Sequence, residues 1–330
     1  MDQTSRKFRR SIVESRFTPI VFATLAIAMR VWMFLSIGIQ QQVYPTSFVW
    51  HIFAPVFKNG WLSLTASTAA VFLIAYTISQ LNHRFNLIRF RTALPFSLLV
   101  FLLSVHPLFL SMSPNYVSAI FILFALFPLL ASYQHHSPRS FAFKSGVLIA
   151  LAGVFQVYAL LLLPLWWYGK ISMHGFKVKS NIAFILAVLL VFWNVAGFYF
   201  IFDSLQSFLL PFFYFEKIDL NIPEFSLIIW IIIALLILIP LIFLMLDFKI
   251  FRRERVLIQK TLSFIILIVI CSFILHLLYW RQTSTFIYSI IVMISFIISH
   301  YYSHIKTKRQ VYSFILLFTG LFILYIHYII

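Results

Sequence analysis

Long apolar runs separated by short polar segments form the main pattern along this chain. Nine of these runs have the length of a membrane span: 18–37, 60–81, 95–111, 116–132, 181–202, 226–246, 261–279, 285–301 and 311–330. A helix of about 20 apolar residues crosses the roughly 30 Å hydrocarbon core of a bilayer. The pattern therefore predicts an all-α, polytopic bundle of transmembrane helices.

A tenth apolar stretch, 145–169, has two possible structures. As one continuous helix it would cross the bilayer once. As two short helices broken near Gly153–Gln156 it would enter and return to the same side, with Gln156 and Tyr158 at a buried tip. Basic residues flank it on both sides: Arg139 and Lys144 before it, and Lys170, Lys177 and Lys179 after it. Because cytoplasmic loops are enriched in Lys and Arg, these flanks favour the re-entrant hairpin.

The distribution of charge over the whole chain separates these two structures. With a re-entrant hairpin, twenty-one of the 25 Lys and Arg residues fall on one side, and only Lys58, Lys217 and Arg281 fall on the other. With a single crossing, the two sides receive equal numbers. The positive-inside rule favours the unequal distribution. We therefore expect nine spans plus a re-entrant hairpin, a cytoplasmic N-terminus and a periplasmic C-terminus.

Composition agrees with a membrane domain. The 330 residues are 62% hydrophobic and 10% charged, and no loop is long enough to form a soluble domain. We expect a basic cytoplasmic leader at 1–17 and one integral domain at 18–330. The net charge of +17 lies in short loops between the spans. There it is better explained by orienting the spans in the membrane and contacting anionic lipid headgroups than by binding nucleic acid. The single cysteine, Cys271, excludes an internal disulfide.

Three basic residues are candidates for contact with a lipid or a phosphate: Arg30, Lys217 and Arg281. Arg30 lies inside the first predicted span, where a charge is costly and needs a partner. It could bind a lipid headgroup, or it could form a structural ion pair or reach an interface. Lys217 and Arg281 fall on the outer side, where each could meet an anionic headgroup or anchor the interface.

The longest outer segment, 203–225, contains half of the eight acidic residues. Two carboxylates that face one cavity could act as general acid and base. If the protein is an enzyme, Asp203 and Glu216 are the candidates for catalysis. Acidic residues also occur in the outer loops of inner-membrane proteins without a catalytic role, so the pattern alone predicts no catalytic residue.

No cofactor or metal site is predicted. His51, His106 and His276 fall toward the outer side, but they lie on separate segments and their spacing indicates no metal centre. The chain has only 8 glycines and lacks Gly-rich phosphate loops, GxSxG and CxxC. This composition argues against an enzyme driven by cytosolic nucleotides.

Two stretches resemble C-type glycosyltransferases, the multi-span enzymes that use polyprenyl-phosphate sugars. The stretch HPLFLSMSPNYVSAIFILFALFPLLASYQ is similar to an outer turn followed by a span of these enzymes, and SGVLIALAGVFQVYALLLLPLWWYGK is similar to their broken helical pair. The similarity covers about 95–202. The family places an Asp or Glu in its first outer loop, and here GIQQQVYPTSFVWHIFAPVFKN contains none. Asn115 stands where an acid often occurs in the second outer turn.

Most of the chain also resembles an uncharacterised family of polytopic inner-membrane proteins from gliding and gut Gram-negative bacteria. The segments that carry this likeness are RFTPIVFATLAIA, the 145–169 stretch, FIFDSLQSFLLPFF and TSTFIYSIIVMISFIISHYYSHIKTKR. We expect a multi-pass inner-membrane subunit of a cell-envelope assembly, non-catalytic, with membrane lipids and partner membrane proteins as its contacts. The alternative is a polyprenyl-phosphate-dependent glycosyltransferase that acts at the periplasmic face.

Overall fold

A computed structural model describes residues 3–39, 44–88, 92–202, 205–216, 251–252 and 254–329. These residues form helices and turns, with no strand among them. The longer helices are α2 (Thr18–Ile37), α4 (Gly60–Phe85), α6 (Pro114–Ala131), α7 (Arg139–Phe155), α8 (Leu163–His174), α9 (Val178–Phe202), α11 (Val256–Leu278), α12 (Thr285–Ser303) and α13 (Lys308–Ile329). The shorter ones are α1 (Gln3–Phe8), α3 (Trp50–Phe53), α5 (Leu94–Leu102) and α10 (Leu205–Phe213).

Seven of the described helices are long and apolar enough to cross a membrane: α2, α4, α6, α9, α11, α12 and α13. Each coincides with a predicted span, so the all-helical, multi-span class is confirmed. The predicted span 226–246 lies outside the described residues. The remaining prediction, 95–111, is wrong as a single helix.

The chain in 95–111 forms the short helix α5 and then an irregular segment. Pro107 follows an extended residue, His106, whose φ and ψ are −118° and 138°. A residue before proline is driven out of the helical region, so the helix cannot continue through this dipeptide. A single 3₁₀ turn, Pro107–Phe109, then leads to α6. The run has the hydropathy of a membrane span, but its backbone is α-helical only as far as Leu102.

The 145–169 stretch belongs to two helices joined at a break. Helix α7 ends at Phe155, Gln156 is extended (φ −151°, ψ 109°), and a 3₁₀ turn at Val157–Leu162 leads into α8. The chain reverses direction here: Gln134, which precedes α7, places its N–H 3.5 Å from the carbonyl oxygen of Met173, near the end of α8. The arms are longer than predicted and span 139–174.

Close helix packing explains one glycine of the hairpin. A Cβ atom on Gly146 would lie 2.8 Å from the Phe184 carbonyl oxygen, so only glycine lets α7 approach α9 at this point. Helices that pack in a membrane gain from such small residues, because backbone approach increases van der Waals contact. The first arm of the hairpin, α7, therefore packs closely against α9.

The two ends of the bundle differ in charge. We call the end that holds Gln156 the tip end and the opposite end the basic end. Every described Lys and Arg lies at the basic end except Arg30, Lys58 and Arg281. Lys58 precedes α4 and Arg281 follows α11, and both of these turns are at the tip end.

The centre of the bundle is α12. In an apolar stretch of 18 residues in α12, 89% of the residues are buried. The same measure is 22% in α2, 22% in α9 and 17% in α13. Tyr288, Phe296 and Tyr302 of α12 are almost fully covered. The outer helices therefore present most of their apolar side chains to the surroundings of the protein.

The reversal at Gln156 gives a labelling prediction. In a Cys271→Ser background, Ser137→Cys and Phe176→Cys introduce thiols at exposed positions on either side of the hairpin. We expect both to react from the same side of the membrane in sealed vesicles. Val56→Cys, at the exposed tip end, should react only from the other side. Labelling of positions 137 and 176 from opposite sides would contradict the fold.

Candidate functional site at the tip end

Arg30 is buried within the bundle, with 1% of its surface exposed. Its Nε donates to Thr68 Oγ1 at 2.9 Å, and its Nη1 donates to the Leu103 carbonyl oxygen at 3.0 Å. Its Nη2 donates to Ser67 Oγ at 2.6 Å and to the Phe109 carbonyl oxygen at 2.7 Å. All four acceptors are neutral, and two are backbone carbonyls of the broken 95–111 run. The guanidinium therefore provides the donors that the irregular backbone lacks.

The polar groups continue from Arg30 toward the start of α6. The hydroxyl of Tyr116 donates to the same Phe109 carbonyl oxygen that accepts from Arg30. The ring of Tyr288 meets the rings of Phe109 and Tyr116 edge-on, with centroids 4.9 Å and 4.8 Å away. Tyr288 also places its hydroxyl 3.4 Å from Ser113 Oγ. Backbone and side-chain polar groups thus form one layer inside the tip half of the bundle.

Gln156 extends this layer to the hairpin. Its Nε2 donates to Thr283 Oγ1 at 2.9 Å and to Asn115 Oδ1 at 3.2 Å, and its Oε1 accepts from Thr46 Oγ1 at 2.6 Å. Asn115 in turn donates to Ser284 Oγ at 2.8 Å. One side chain at the break thereby connects three otherwise separate parts of the chain.

Backbone hydrogen bonds join the hairpin tip to the segment before α3. The Phe48 N–H donates to the Val154 carbonyl oxygen at 3.1 Å, and the Val157 N–H donates to the Thr46 carbonyl oxygen at 3.0 Å. The Tyr199 hydroxyl donates to the Phe48 carbonyl oxygen. Groups exposed by the break at Gln156 are thus satisfied inside the protein, as irregular backbone at membrane depth requires.

Tyr158 connects the tip to the segment after α9. Its hydroxyl donates to the Tyr214 carbonyl oxygen at 3.0 Å, and its ring centroid lies 4.9 Å from that of Tyr279. The Tyr279 hydroxyl donates to the Phe215 carbonyl oxygen at 3.0 Å. The 205–216 segment is therefore held over the hairpin.

A cavity of about 560 Å³ lies above this polar layer, in the range of small-molecule sites. Its polar walls come from Tyr44, Ser47, His51, Lys58, Ser63, Ser111, Tyr199 and Ser207. Trp50, Phe57, Leu210 and Pro211 are among its apolar walls. Ser63 joins the cavity to the layer below, because its Oγ accepts from the Met112 N–H at 2.8 Å.

The chemistry of the cavity suits an anionic group attached to an apolar body. Lys58 supplies a positive charge, and the hydroxyls around it can donate hydrogen bonds. The Tyr44 phenol is a hydrogen-bond donor at neutral pH, and burial raises its pKa further, to about 12. No carboxylate lines the cavity among the residues that the structure describes.

The residues that the sequence singled out are dispersed. Asp203 and Lys217 lie outside the described residues. Glu216 is exposed at the end of the turn Tyr214–Glu216 and does not line the cavity. Arg281 is exposed, with its guanidinium carbon 4.8 Å from the Trp280 ring centroid. Arg30 belongs to the polar layer, together with Gln156.

His51, His106 and His276 do not converge. The metal-ligand atoms of these three side chains form no cluster in the described part of the chain. His51 lines the cavity, while the Nδ1 of His106 accepts from the Leu108 N–H at 3.0 Å. Of the residues that line the cavity, the sequence had drawn attention only to His51 and to Lys58, one of three basic residues assigned to the outer side.

The role of Arg30 gives a stability prediction. Arg30→Leu leaves the Leu103 carbonyl without its Arg30 donor and the Phe109 carbonyl with the Tyr116 hydroxyl alone. A buried polar group that loses its partner costs about 1–3 kcal/mol. We expect a clear fall in the unfolding temperature of the detergent-purified protein, with Arg30→Lys intermediate because an ammonium lacks the forked donor geometry. Arg84→Leu removes an exposed Arg and is the matched control.

Equal stability of Arg30→Leu and Arg84→Leu would contradict this structural role. If the Arg30→Leu protein is stable but loses a co-purifying lipid, the phosphate-ligand alternative for Arg30 is favoured instead.

The hydrogen bond between Gln156 and Thr46 can be measured by a double-mutant cycle. Gln156→Leu and Thr46→Val should couple by roughly 0.5–3 kcal/mol, because their side chains are in direct contact. Thr24→Val is the control partner, since the exposed Thr24 hydroxyl donates to the Val21 carbonyl oxygen of its own helix, α2. Independent effects of the changes at 156 and 46 would show that the tip is not held by this contact.

Comparison of the chain with protein-family models, with curated proteins and with solved structures finds no match. The resemblance of 95–202 to C-type glycosyltransferases and the likeness to an uncharacterised inner-membrane family therefore stay predictions.

Proposed function

We propose that this protein is a non-catalytic integral subunit of a cell-envelope assembly, and that its tip-end cavity binds the anionic head of a membrane lipid. Secretion, translocation and surface-glycan complexes are the kinds of assembly that fit. The observation that carries the proposal is the composition of the cavity wall. It combines Lys58 and several hydroxyls with aromatic and apolar side chains, and no described lining residue is a carboxylate.

The hydrogen bonds of Arg30 bear on which cation could meet a lipid phosphate. Its hydrogen bonds to Ser67, Thr68 and two backbone carbonyls occupy most of the five guanidinium donors. A phosphate would have to replace these bonds. Lys58 lines the cavity and Arg30 does not, so Lys58 is the cation nearer to a phosphate bound there.

The membrane and topology belong to the same proposal. We place the protein in the bacterial inner membrane with the basic end in the cytoplasm. The proposed topology has nine spans, one of them the broken run 95–111, and a hairpin that enters from the cytoplasmic side and returns to it. The concentration of Lys and Arg at the basic end supports this orientation. The cavity then opens toward the periplasmic face, where envelope assemblies meet their lipid-linked material.

Exposed apolar faces support contact with partner helices or lipid acyl chains. Near the tip end, Phe198, Phe200, Ile201 and Phe202 are each exposed by 45% or more. In water such a patch would be unfavourable, whereas in a membrane it packs against lipid or another protein. This surface lies next to the cavity, because Tyr199 of the same turn lines it.

The second candidate function is a polyprenyl-phosphate-dependent glycosyltransferase with Asp203 or Glu216 as its base. One observation favours it. Tyr199 and Ser207 both line the cavity, and Asp203 lies between them in the sequence. Asp203 itself is outside the described residues.

The binding proposal is tested by comparing two charge-removing substitutions at the tip end. Lys58→Ala should weaken binding of phosphatidylglycerol by about fivefold, which corresponds to roughly 1 kcal/mol for one charge near the surface. Arg281→Ala is the matched control, because Arg281 is at the same end but does not line the cavity. Binding can be measured by native mass spectrometry after reconstitution, with phosphatidylcholine as the neutral reference. Equal loss in both variants would contradict a site at Lys58.

An assay for sugar transfer from a polyprenyl-phosphate donor distinguishes the enzyme alternative from the subunit proposal. The subunit proposal predicts no sugar transfer by the wild type and no effect of Asp203→Asn or Glu216→Gln on lipid binding. A general base contributes 10²- to 10⁴-fold in rate. Transfer by the wild type that falls by that factor in Asp203→Asn would overturn the non-catalytic proposal.

A further inference from the structure

Three potential metal ligands meet at the basic end, far from the cavity. Glu254 precedes α11, and His300 and His304 lie one turn apart at the end of α12. One ligand atom from each side chain lies within 4.8 Å of the other two. Glu254 and His300 are buried, and His304 is half-buried. The cluster thus gathers one carboxylate and two imidazoles, which are metal-ligating groups, in a largely buried place.

The spacing of the two histidines suits a shared ligand. Residues four apart lie on the same face of a helix, and the two ring centroids are 4.9 Å apart. Glu254 comes from a separate segment and places Oε1 3.6 Å from His304 Nε2. Two imidazoles and one carboxylate form a ligand set that divalent transition metals accept.

The second nitrogen of His304 supports this arrangement. Its Nδ1 lies 2.9 Å from the His300 carbonyl oxygen. A carbonyl is an acceptor, so this contact suits the tautomer with its proton on Nδ1. In that neutral tautomer Nε2 presents its lone pair toward Glu254. Metal-ligating histidines commonly donate their other N–H to a carbonyl in this way, which fixes both tautomer and ring orientation.

We propose that Glu254, His300 and His304 bind a divalent transition-metal ion, with Zn²⁺ as the ion that the nitrogen and oxygen ligands suit best. The metal would fasten the segment before α11 to the last turn of α12. The competing explanation is an ion pair between a protonated His304 and Glu254, which requires no metal. The bound metal ion and the ion pair both place a positive charge beside Glu254. Measuring the metal content of the protein directly distinguishes them.

The experiment uses the full-length protein, purified in mild detergent through an affinity tag without histidine. The protein is equilibrated with Zn²⁺, passed over a desalting column and analysed for metal by inductively coupled plasma mass spectrometry. We expect about one Zn²⁺ per chain, and an increase in unfolding temperature when Zn²⁺ is returned to chelator-treated protein.

Glu254→Gln and His304→Ala should each weaken Zn²⁺ binding at least about 100-fold, because loss of even an outer-shell partner costs roughly 10- to 100-fold. Glu254→Gln preserves the size of the side chain and is the variant that keeps the packing. His136→Ala is the matched control, since His136 is an exposed histidine at the same end. The control should bind Zn²⁺ and respond to it thermally like the wild type.

Two results would overturn the proposal. The first is a wild-type protein that retains no Zn²⁺ and shows no thermal response to it, which would leave the ion pair as the explanation. The second is equal Zn²⁺ binding by the wild type, by Glu254→Gln and by the His136→Ala control.

Discussion

The tip half of this bundle depends on one buried guanidinium. The apolar run 95–111 does not form a continuous helix, so some of its carbonyls lose their helical partners inside a region where water is scarce. Arg30 donates to two of these carbonyls, at Leu103 and Phe109, and the hydroxyl of Ser67 lies within hydrogen-bond distance of Leu110. An unsatisfied backbone group costs several kcal/mol in hydrocarbon, so the broken run and the buried arginine stabilise each other.

The proposed site follows from this arrangement. The same irregular segment brings Ser111 and Met112 to the cavity and Asn115 to Gln156. The hairpin then completes the layer by hydrogen-bonding to Thr46 and Thr283. A cavity built on such a layer has a polar base and an apolar rim, which matches a lipid with a charged head. Rigid support below the cavity favours selective binding, because the polar groups are held in place before a ligand arrives.

Hydropathy and charge predicted the parts that depend on local composition. They identified seven helices that the structure describes, and the excess of Lys and Arg on one side predicted the reversal at Gln156. The break in 95–111 was not predicted, because its apolar composition resembles that of the intact spans and only His106-Pro107 marks the interruption. The cavity depends on segments brought together from 44–63, 111–112 and 199–211, and no local pattern contains that information. The pair His300 and His304 has a recognisable i, i+4 spacing, but Glu254 joins it only through tertiary packing.

Solid-state NMR of the protein in lipid bilayers tests the role of Arg30 most directly. With ¹⁵N-labelled arginine and ¹³C-labelled backbone carbonyls, dipolar recoupling reports which groups lie next to the guanidinium. We predict correlations from the Arg30 side-chain nitrogens to the carbonyl carbons of Leu103 and Phe109, and no dephasing of the Arg30 signals by lipid ³¹P. Strong ³¹P dephasing without those carbonyl correlations would mean that Arg30 binds a lipid phosphate, and would contradict its role as the donor for the broken run.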